Sequence, residues 1–209
     1  MSQMVEEIEA KFFVDDYEDI IKRVSSIATF KKSAYELTVM YDNQKVLFND
    51  DARLRLRRIT DLKNNEEGCE LSYKKPKTRE GIKIEEELEV ETSSFLTTEG
   101  ILAKLGYLKV SSYERIRDTF YAGSCKITVD SFPFGDLLEI EGETKNIIKI
   151  SKELGLDIKN NTTKSCDDIY ADICRANGKI IKNHILFDKN RLLEQEKLRS
   201  HYYSNNIKT

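Results

Sequence analysis

The sequence predicts an α+β fold built on an antiparallel sheet. Eight segments alternate with period two between apolar and polar residues, which is typical of strands whose two faces meet different surroundings. The helical patterns are too few to alternate one for one with these strands, so βαβ units and a parallel sheet are disfavoured. The polar positions of the strands are mostly charged, and this third observation helps to decide between an open sheet and a closed barrel.

The elements follow from periodicity and from turn and capping residues. The predicted strands are 4–14, 33–43, 52–60, 69–75, 82–91, 112–121, 124–131 and 136–142. The predicted helices are 15–28, 93–105, 144–154 and 165–177. N-caps are expected at Asp15 or Asp16, at Ser93 or Ser94, and at Thr144. The strand connections are expected at 61–68, at 76–81 and at Ala122-Gly123.

Length and charge limit the possible classes of protein. The 209 residues indicate one domain over 1–190, followed by a charged helix that ends in a polar tail over 191–209. The 34 Lys and Arg nearly balance 37 Asp and Glu, which argues against a nucleic-acid partner. No apolar run approaches the roughly 20 residues of a membrane span, and the first residues do not resemble a signal peptide. We therefore expect a cytoplasmic monomer or homodimer without a membrane partner.

Charged residues share one parity in almost every predicted strand. Glu7, Glu9 and Lys11 alternate with apolar residues, and the later strands contain Arg-Leu-Arg-Leu-Arg over 53–57 and Glu-Glu-Glu-Leu-Glu over 85–89. One interpretation is an open sheet with a solvated face, on which such charges carry no information. The scarcity of uncharged polar residues and the single sign of individual strands favour the alternative, a closed eight-stranded antiparallel β-barrel with the charges inside and helices outside.

Charges enclosed in a barrel persist only when they are paired with each other, with a metal ion or with a ligand. Hard divalent cations take carboxylate oxygens together with substrate phosphates, and Lys and Arg bind phosphate oxygens through charge-assisted hydrogen bonds. A triphosphate with its metal ion would satisfy both sets of side chains. The pattern thus favours a triphosphate-binding barrel.

The motif Glu7-Ile8-Glu9-Ala10-Lys11 resembles the opening strand of the CYTH superfamily, the triphosphate tunnel metalloenzymes. Later signatures of that superfamily follow in order over roughly 4–175. They are Tyr41-Asp42, Leu54-Arg55-Leu56-Arg57, Ser72-Tyr73-Lys74, Glu87-Leu88-Glu89, Arg115-Ile116-Arg117, Val129-Asp130 and Glu139-Ile140-Glu141. Within the superfamily the sequence is most similar to the class IV adenylyl cyclase branch. It departs from the family pattern in having Arg115 where Lys is frequent and Phe120 where Tyr is common.

The resemblance implies a role for each group of charged residues. Mg²⁺ or Mn²⁺ would be held by Glu7, Glu9, Glu139 and Glu141, with Glu89 and Asp130 as further metal ligands. The triphosphate would be bound by Lys11, Arg55, Arg57, Lys74, Arg115 and Arg117. The catalytic residues would be Lys74, Arg117, Glu87 and Asp130.

Other charged residues receive simpler interpretations. Glu70 and Glu85 are expected to be salt-bridge partners, and Lys83 and Lys126 are expected to be solvated surface lysines. Arg53 has the parity of the tunnel arginines, but its role stays open.

The implied activity is that of an adenylyl cyclase, which converts ATP to cyclic AMP and pyrophosphate. The alternatives are a triphosphate hydrolase acting on inorganic tripolyphosphate or thiamine triphosphate, a non-catalytic module that binds triphosphate or polyphosphate, and a purely structural barrel.

Overall fold

Eight strands pair edge to edge and close into an antiparallel barrel in the computed structural model, which describes residues 5–78 and 81–206. The strands are β1 (Val5–Val14), β2 (Thr29–Asp42), β3 (Arg53–Asp61), β4 (Glu67–Thr78), β5 (Lys83–Glu91), β6 (Leu108–Ala122), β7 (Cys125–Phe132) and β8 (Gly135–Glu141). Their order is β2-β3-β4-β5-β1-β8-β7-β6, and β6 pairs back onto β2. The prediction of an α+β fold with a closed eight-stranded barrel is confirmed.

The helices lie outside the barrel wall. They are α1 (Tyr17–Ile27), α2 (Val46–Asn49), α3 (Phe95–Lys104), α4 (Thr144–Glu153), α5 (Cys166–Ala176) and α6 (Lys189–Asn206), with a 3₁₀ turn over Ile158–Asn160. Asp16, Ser94 and Ser165 each accept a hydrogen bond from the backbone N–H three residues on, as N-caps do. The cap predicted at Thr144 is wrong by one residue, because Glu143 occupies the N-cap position without a side-chain hydrogen bond.

Several strands are longer than alternation alone predicts. β2 begins at Thr29 and β6 at Leu108, because these two strands pair with each other along almost their whole length. β4 runs through Pro76 to Thr78, and the register with β5 shifts at that point. The loop predicted from residue 76 therefore begins later.

The shortest elements were not predicted. Helix α2 and strand β9 (His184–Ile185), which pairs in parallel with β6, are too short to show a period. Met4 of the first predicted strand, residues 79–80 of a predicted loop and residues 207–209 of the predicted tail lie outside the described residues. Within the described ranges, no helix combines the length and the apolar character that a membrane crossing needs.

The hydrophobic core lies between the outer face of the barrel and the helices. Outward-facing Ala10, Val129 and Ile140 of three adjacent strands pack with Ile21 of α1 and Ile147 of α4, and all five are fully buried. A second cluster lies at one end of the barrel, where inward-facing residues meet α5; it contains Met40, Tyr113, Phe132, Leu137 and Ile169. The first turn of α5 consequently borders the barrel interior.

A buried arginine attaches α6 to the barrel. Arg199 donates from Nε to Asp118 Oδ2 (2.9 Å), from Nη2 to Ser131 Oγ (2.9 Å) and from Nη1 to Gln195 Oε1 (2.7 Å). Its guanidinium lies 4.5 Å from the ring centroid of Tyr17, whose hydroxyl donates to the same Asp118 oxygen at 2.9 Å. The charged C-terminal helix is therefore packed against the outer wall through a polar network.

We predict that Arg199→Met destabilises the protein by about 3–5 kcal/mol, because it leaves the buried Asp118 carboxylate without its cation. The double variant Arg199→Met/Asp118→Asn should recover most of this loss. Urea denaturation followed by circular dichroism measures both. Lys197→Met, an exposed change on the same helix, is the control and should stay near wild type. A loss below about 1 kcal/mol in Arg199→Met would contradict the role of this ion pair.

Candidate active site

The barrel interior is a cavity of about 200 Å³ whose wall is mainly charged. Because successive side chains of a strand alternate between faces, one parity of each strand points into it. Its acidic residues are Glu7, Glu9, Glu85, Glu87, Glu89, Glu139, Glu141 and Asp167. Its basic residues are Lys11, Arg53, Arg55, Arg57, Lys74, Lys83, Arg115, Arg117 and Lys126. The predicted site residues line this cavity, with the exception of Asp130, which is fully buried beside it.

Three carboxylates meet on neighbouring strands. The β1–β5 register places Glu7 opposite Glu85, and one carboxylate oxygen from each of Glu7, Glu9 and Glu85 lies within 4.8 Å of the others. Hard oxygen donors at this spacing are the ligands that Mg²⁺ and Mn²⁺ prefer, so the donor set fits a divalent cation. The residues that would hold it include Glu7 and Glu9, as the resemblance implies.

Two further carboxylates lie on β8, next to β1. Glu139 accepts from Arg117 Nη2 at 2.6 Å and lies 3.1 Å from Lys11 Nζ. Glu141 accepts from Lys126 Nζ at 2.6 Å. Burial opposes ionisation of Glu139, but Lys11 and Arg117 hold its pKa well below the usual range. Glu139 is thus an anion at neutral pH.

Lys74 connects the carboxylates of two strands. Its ammonium contacts Glu7 and lies 3.0 Å from Glu87 Oε1, while Arg55 lies 3.6 Å from the same Glu87 oxygen. Burial raises the pKa of Glu87, Lys74 opposes this shift, and the nearby Glu7 adds to it. Glu87 is therefore easier to protonate than an ordinary glutamate.

The arginines of β6 are fixed by buried carboxylates. Arg117 makes a two-point contact with Asp130, at 2.6 Å and 2.5 Å, and Arg115 Nη1 lies 3.2 Å from Asp130 Oδ2. Arg115 also binds Glu36 at 2.6 Å, and Arg57 lies 3.4 Å from the same carboxylate. Both oxygens of Asp130 are consequently engaged by arginine.

Glu36 was missed in the sequence. Burial opposes its ionisation, but Arg115 and Arg57 lower its pKa far below normal. The signal was present, because Glu36 and Thr38 alternate with Tyr35, Leu37 and Val39 in the same way as the charged parity of the other strands.

The expectation that Lys83 is a solvated surface lysine is wrong. Its side chain is 4% exposed, and its ammonium lies 2.9 Å from Glu9 Oε1 and 2.6 Å from Glu85 Oε2. Lys83 begins β5 directly opposite Glu9, so parity places it inside the barrel. Lys126 also borders the cavity and is one third exposed, so the same expectation is wrong for it.

Glu70 and Glu85 each pair with basic side chains of the barrel. Glu85 pairs with Arg53 and Lys83, and Glu70 pairs with Arg57 at 3.2 Å. Both glutamates are therefore salt-bridge partners, as predicted. Arg53, whose role was open, lines the cavity.

A closed barrel with carboxylates and basic groups alternating inside it defines a triphosphate tunnel fold. The family model of the CYTH domain matches residues 6–170, and this chain belongs to the CYTH family. A comparison with curated protein sequences finds no match.

Solved structures share this fold at low sequence identity. A candidate adenylate cyclase from Vibrio parahaemolyticus is 19% identical with a TM-score of 0.70, over 81% of this chain and 99% of the other. The PH1819 protein from Pyrococcus horikoshii OT3 is 24% identical with a TM-score of 0.68, over 79% and 98%. A candidate adenylyl cyclase from Hippeastrum, described as having a dominant triphosphatase activity, is 17% identical with a TM-score of 0.56, over 83% and 97%. At these identities the likeness shows the fold alone.

The ionised Glu9 carboxylate is expected to make the stability of the fold depend on pH in the acid range. Burial opposes ionisation, but Lys11, Lys83 and Lys74 lower the pKa of Glu9 from 4.5 to about 2. A carboxylate with a lowered folded-state pKa stabilises the fold above its unfolded pKa, and this contribution is lost as pH falls toward the folded value. Between pH ~5 and ~2 the unfolding free energy should therefore fall, with Glu9 contributing roughly 3 kcal/mol of the change.

Urea denaturation at a series of pH values tests this. Glu9→Gln should have a shallower pH dependence than wild type between pH ~5 and ~2. Glu6→Gln, on the exposed outer parity of the same strand, should keep the wild-type dependence. Equal slopes for Glu9→Gln and wild type would show that Glu9 does not carry the effect.

Proposed function

We propose that this protein is a metal-dependent enzyme that binds a triphosphate in the tunnel and converts ATP to cyclic AMP and pyrophosphate. The observation that carries the proposal is the enclosed set of carboxylates on β1 and β8 facing a wall of fixed arginines and lysines; the set comprises Glu7, Glu9, Glu139 and Glu141. A neutral ligand would complement neither set of charges. A triphosphate with a divalent cation complements them.

The basic residues would bind the phosphate oxygens. This set comprises Lys11, Arg55, Arg57, Lys74, Arg115 and Arg117. Each is already oriented by an ion pair in the tunnel wall, so little reorganisation is needed when charge develops on the phosphates. Positioning and electrostatic stabilisation are the main contributions of a protein to phosphoryl transfer.

The carboxylates of β1 and β8 would hold Mg²⁺ or Mn²⁺. The proposed ligands are Glu7, Glu9, Glu139 and Glu141, with Glu89 at the tunnel wall as a further carboxylate. A divalent cation supplies neutralisation of phosphate charge and a lower pKa for the attacking oxygen. Asp130, whose oxygens are engaged by Arg115 and Arg117, would position these arginines in addition to any contact with the metal.

Three side chains would act at the reacting phosphate. Lys74 and Arg117 neutralise the charge that develops on the leaving phosphate oxygens. Glu87 lies beside Lys74, and its raised pKa suits it to accept the proton of the attacking hydroxyl. In a cyclase that hydroxyl is the ribose 3′-OH, which attacks the α-phosphorus as pyrophosphate leaves.

A second candidate function is triphosphate hydrolysis, in which water attacks the terminal phosphorus. The triphosphatase activity named for the Hippeastrum structure favours this candidate. The same set of basic groups and carboxylates serves both reactions. The difference is which phosphorus faces the activated oxygen.

Product analysis distinguishes the two reactions. Purified protein is incubated with ATP, tripolyphosphate or thiamine triphosphate, with Mg²⁺ or Mn²⁺, and products are separated by chromatography. We expect cyclic AMP with an equal amount of pyrophosphate. Orthophosphate without cyclic product would transfer the assignment to a hydrolase. Binding without turnover of any of the three would identify a non-catalytic module.

Substitutions in β4 and β6 test the roles of individual residues. Lys74→Ala and Arg117→Ala should reduce turnover by at least 100-fold, because each removes a cation from the leaving oxygens. Lys75→Ala, the neighbour of Lys74 on the outer face, pairs with Asp50 at 2.6 Å outside the tunnel and should keep wild-type turnover. Circular dichroism verifies that all three variants are folded. Wild-type turnover in either tunnel variant would exclude that residue from the reaction.

A further inference from the structure

Lys83 lies at one end of a row of four charged residues that runs across neighbouring strands. In this row Lys83 pairs with Glu9, Glu9 with Glu141, and Glu141 with Lys126. Lys83 and Lys126 thus flank two neighbouring glutamates. They differ in burial, because the side chain of Lys83 is 4% exposed and that of Lys126 is 34% exposed.

The ammonium of Lys83 lies between two carboxylates of the three-carboxylate cluster. Its Nζ is 2.9 Å from Glu9 Oε1 and 2.6 Å from Glu85 Oε2. Carboxylate oxygens of Glu7, Glu9 and Glu85 lie within 4.8 Å of one another. A cation bound by Glu9 and Glu85 would take the space that the ammonium fills.

The remaining contacts divide the cluster into two sides. Glu85 also contacts Arg53, so both cations that neutralise it belong to the protein. On the other side, Glu9 faces Glu141 across the β1–β8 pair, and Glu139 is next on the same face of β8.

The carboxylates toward β8 are paired as well, Glu139 with Lys11 and Arg117 and Glu141 with Lys126. Lys126 is one third exposed, and the proposed function assigns Lys11 and Arg117 to the phosphates, so these cations can exchange carboxylate for ligand. Lys83 is buried between Glu9 and Glu85 and has no such exchange partner.

We infer that Lys83 is a tethered cation that stands between Glu9 and Glu85 in the place of a second divalent ion, and that it limits the tunnel to one. The inference rests on the proposed metal-dependent function, whose carboxylate ligands it divides. Two-metal sites that act on phosphates hold their ions ~3.5–4 Å apart. Lys83 supplies a fixed positive charge between Glu9 and Glu85 without requiring a second ion.

The test counts bound Mn²⁺ in the absence of any triphosphate. Free Mn²⁺ is followed by electron paramagnetic resonance during titration of the full chain. Wild type should bind one Mn²⁺ per chain, and Lys83→Gln should bind two, because the variant leaves Glu9 and Glu85 facing each other without the ammonium. Lys75→Gln, a change of the same type on the outside of β4, should bind one.

Lys83→Gln removes a buried charge and could fail to fold, so a second variant keeps the test decisive. Glu85→Gln should still bind one Mn²⁺, with affinity within tenfold of wild type, because Glu85 does not hold the metal when Lys83 is present. Loss of Mn²⁺ from Glu85→Gln would make Glu85 a native ligand and overturn the inference. Two Mn²⁺ in wild type, or one in folded Lys83→Gln, would also overturn it.

These outcomes are separate from those of the proposed activity. One Mn²⁺ in wild type and two in Lys83→Gln, with no turnover of a triphosphate, would uphold the inference and reject the enzyme. Turnover of a triphosphate by a wild-type protein that binds two Mn²⁺ would uphold the enzyme and reject the inference.

Discussion

The structure depends on compensating charge inside a closed barrel. Closure removes the tunnel side chains from bulk water, and an isolated charge in such a place costs several kcal/mol. Glu36, Glu139 and Asp130 are each bound by at least two basic side chains, and Lys74 and Lys83 each connect two carboxylates. The interior is therefore a network of opposite charges that holds its own side chains in place.

Alternation along each strand places charged residues of one parity inside the barrel and mainly apolar residues of the other parity outside. The position of one set therefore fixes the position of the other. In β6, Arg115 and Arg117 point inward while Ile116 and Phe120 are fully buried on the outer side. A slip of one residue would exchange these faces, so the outer core fixes the register of the tunnel. Asp118 is a fully buried charge on the outer face of β6, and α6 supplies Arg199 to neutralise it.

Parity along single strands predicted most of the charged lining, because it needs no knowledge of which strands are neighbours. The closed barrel was favoured by two further features, the scarcity of uncharged polar residues and the single sign of individual strands. Lys83 and Glu36 share the charged parity of their strands, so their inward positions were readable locally and were missed. What local pattern could not show is their partners: the β1–β5 register places Lys83 opposite Glu9. Likewise, Arg199 shows no signal in a polar helix, because its burial follows from where α6 meets Asp118 on the barrel. The pairs Lys83–Glu9 and Arg199–Asp118 join residues far apart in the chain, and such pairing is absent from local pattern.

A network of internal ion pairs has a consequence for the proposed ligands. Arg117 is shared between Asp130 and Glu139, and Lys11 between Glu9 and Glu139, so a triphosphate must compete with carboxylates for both cations. On the proposed function, a divalent cation bound to Glu9 and Glu139 would weaken their hold on these basic groups, and a bound triphosphate would in turn release the carboxylates. Each ligand would thus favour the other, and by thermodynamic linkage the coupling would be equal in both directions. Because the carboxylates and basic groups neutralise each other in the fold, the proposed function requires that metal and triphosphate bind together.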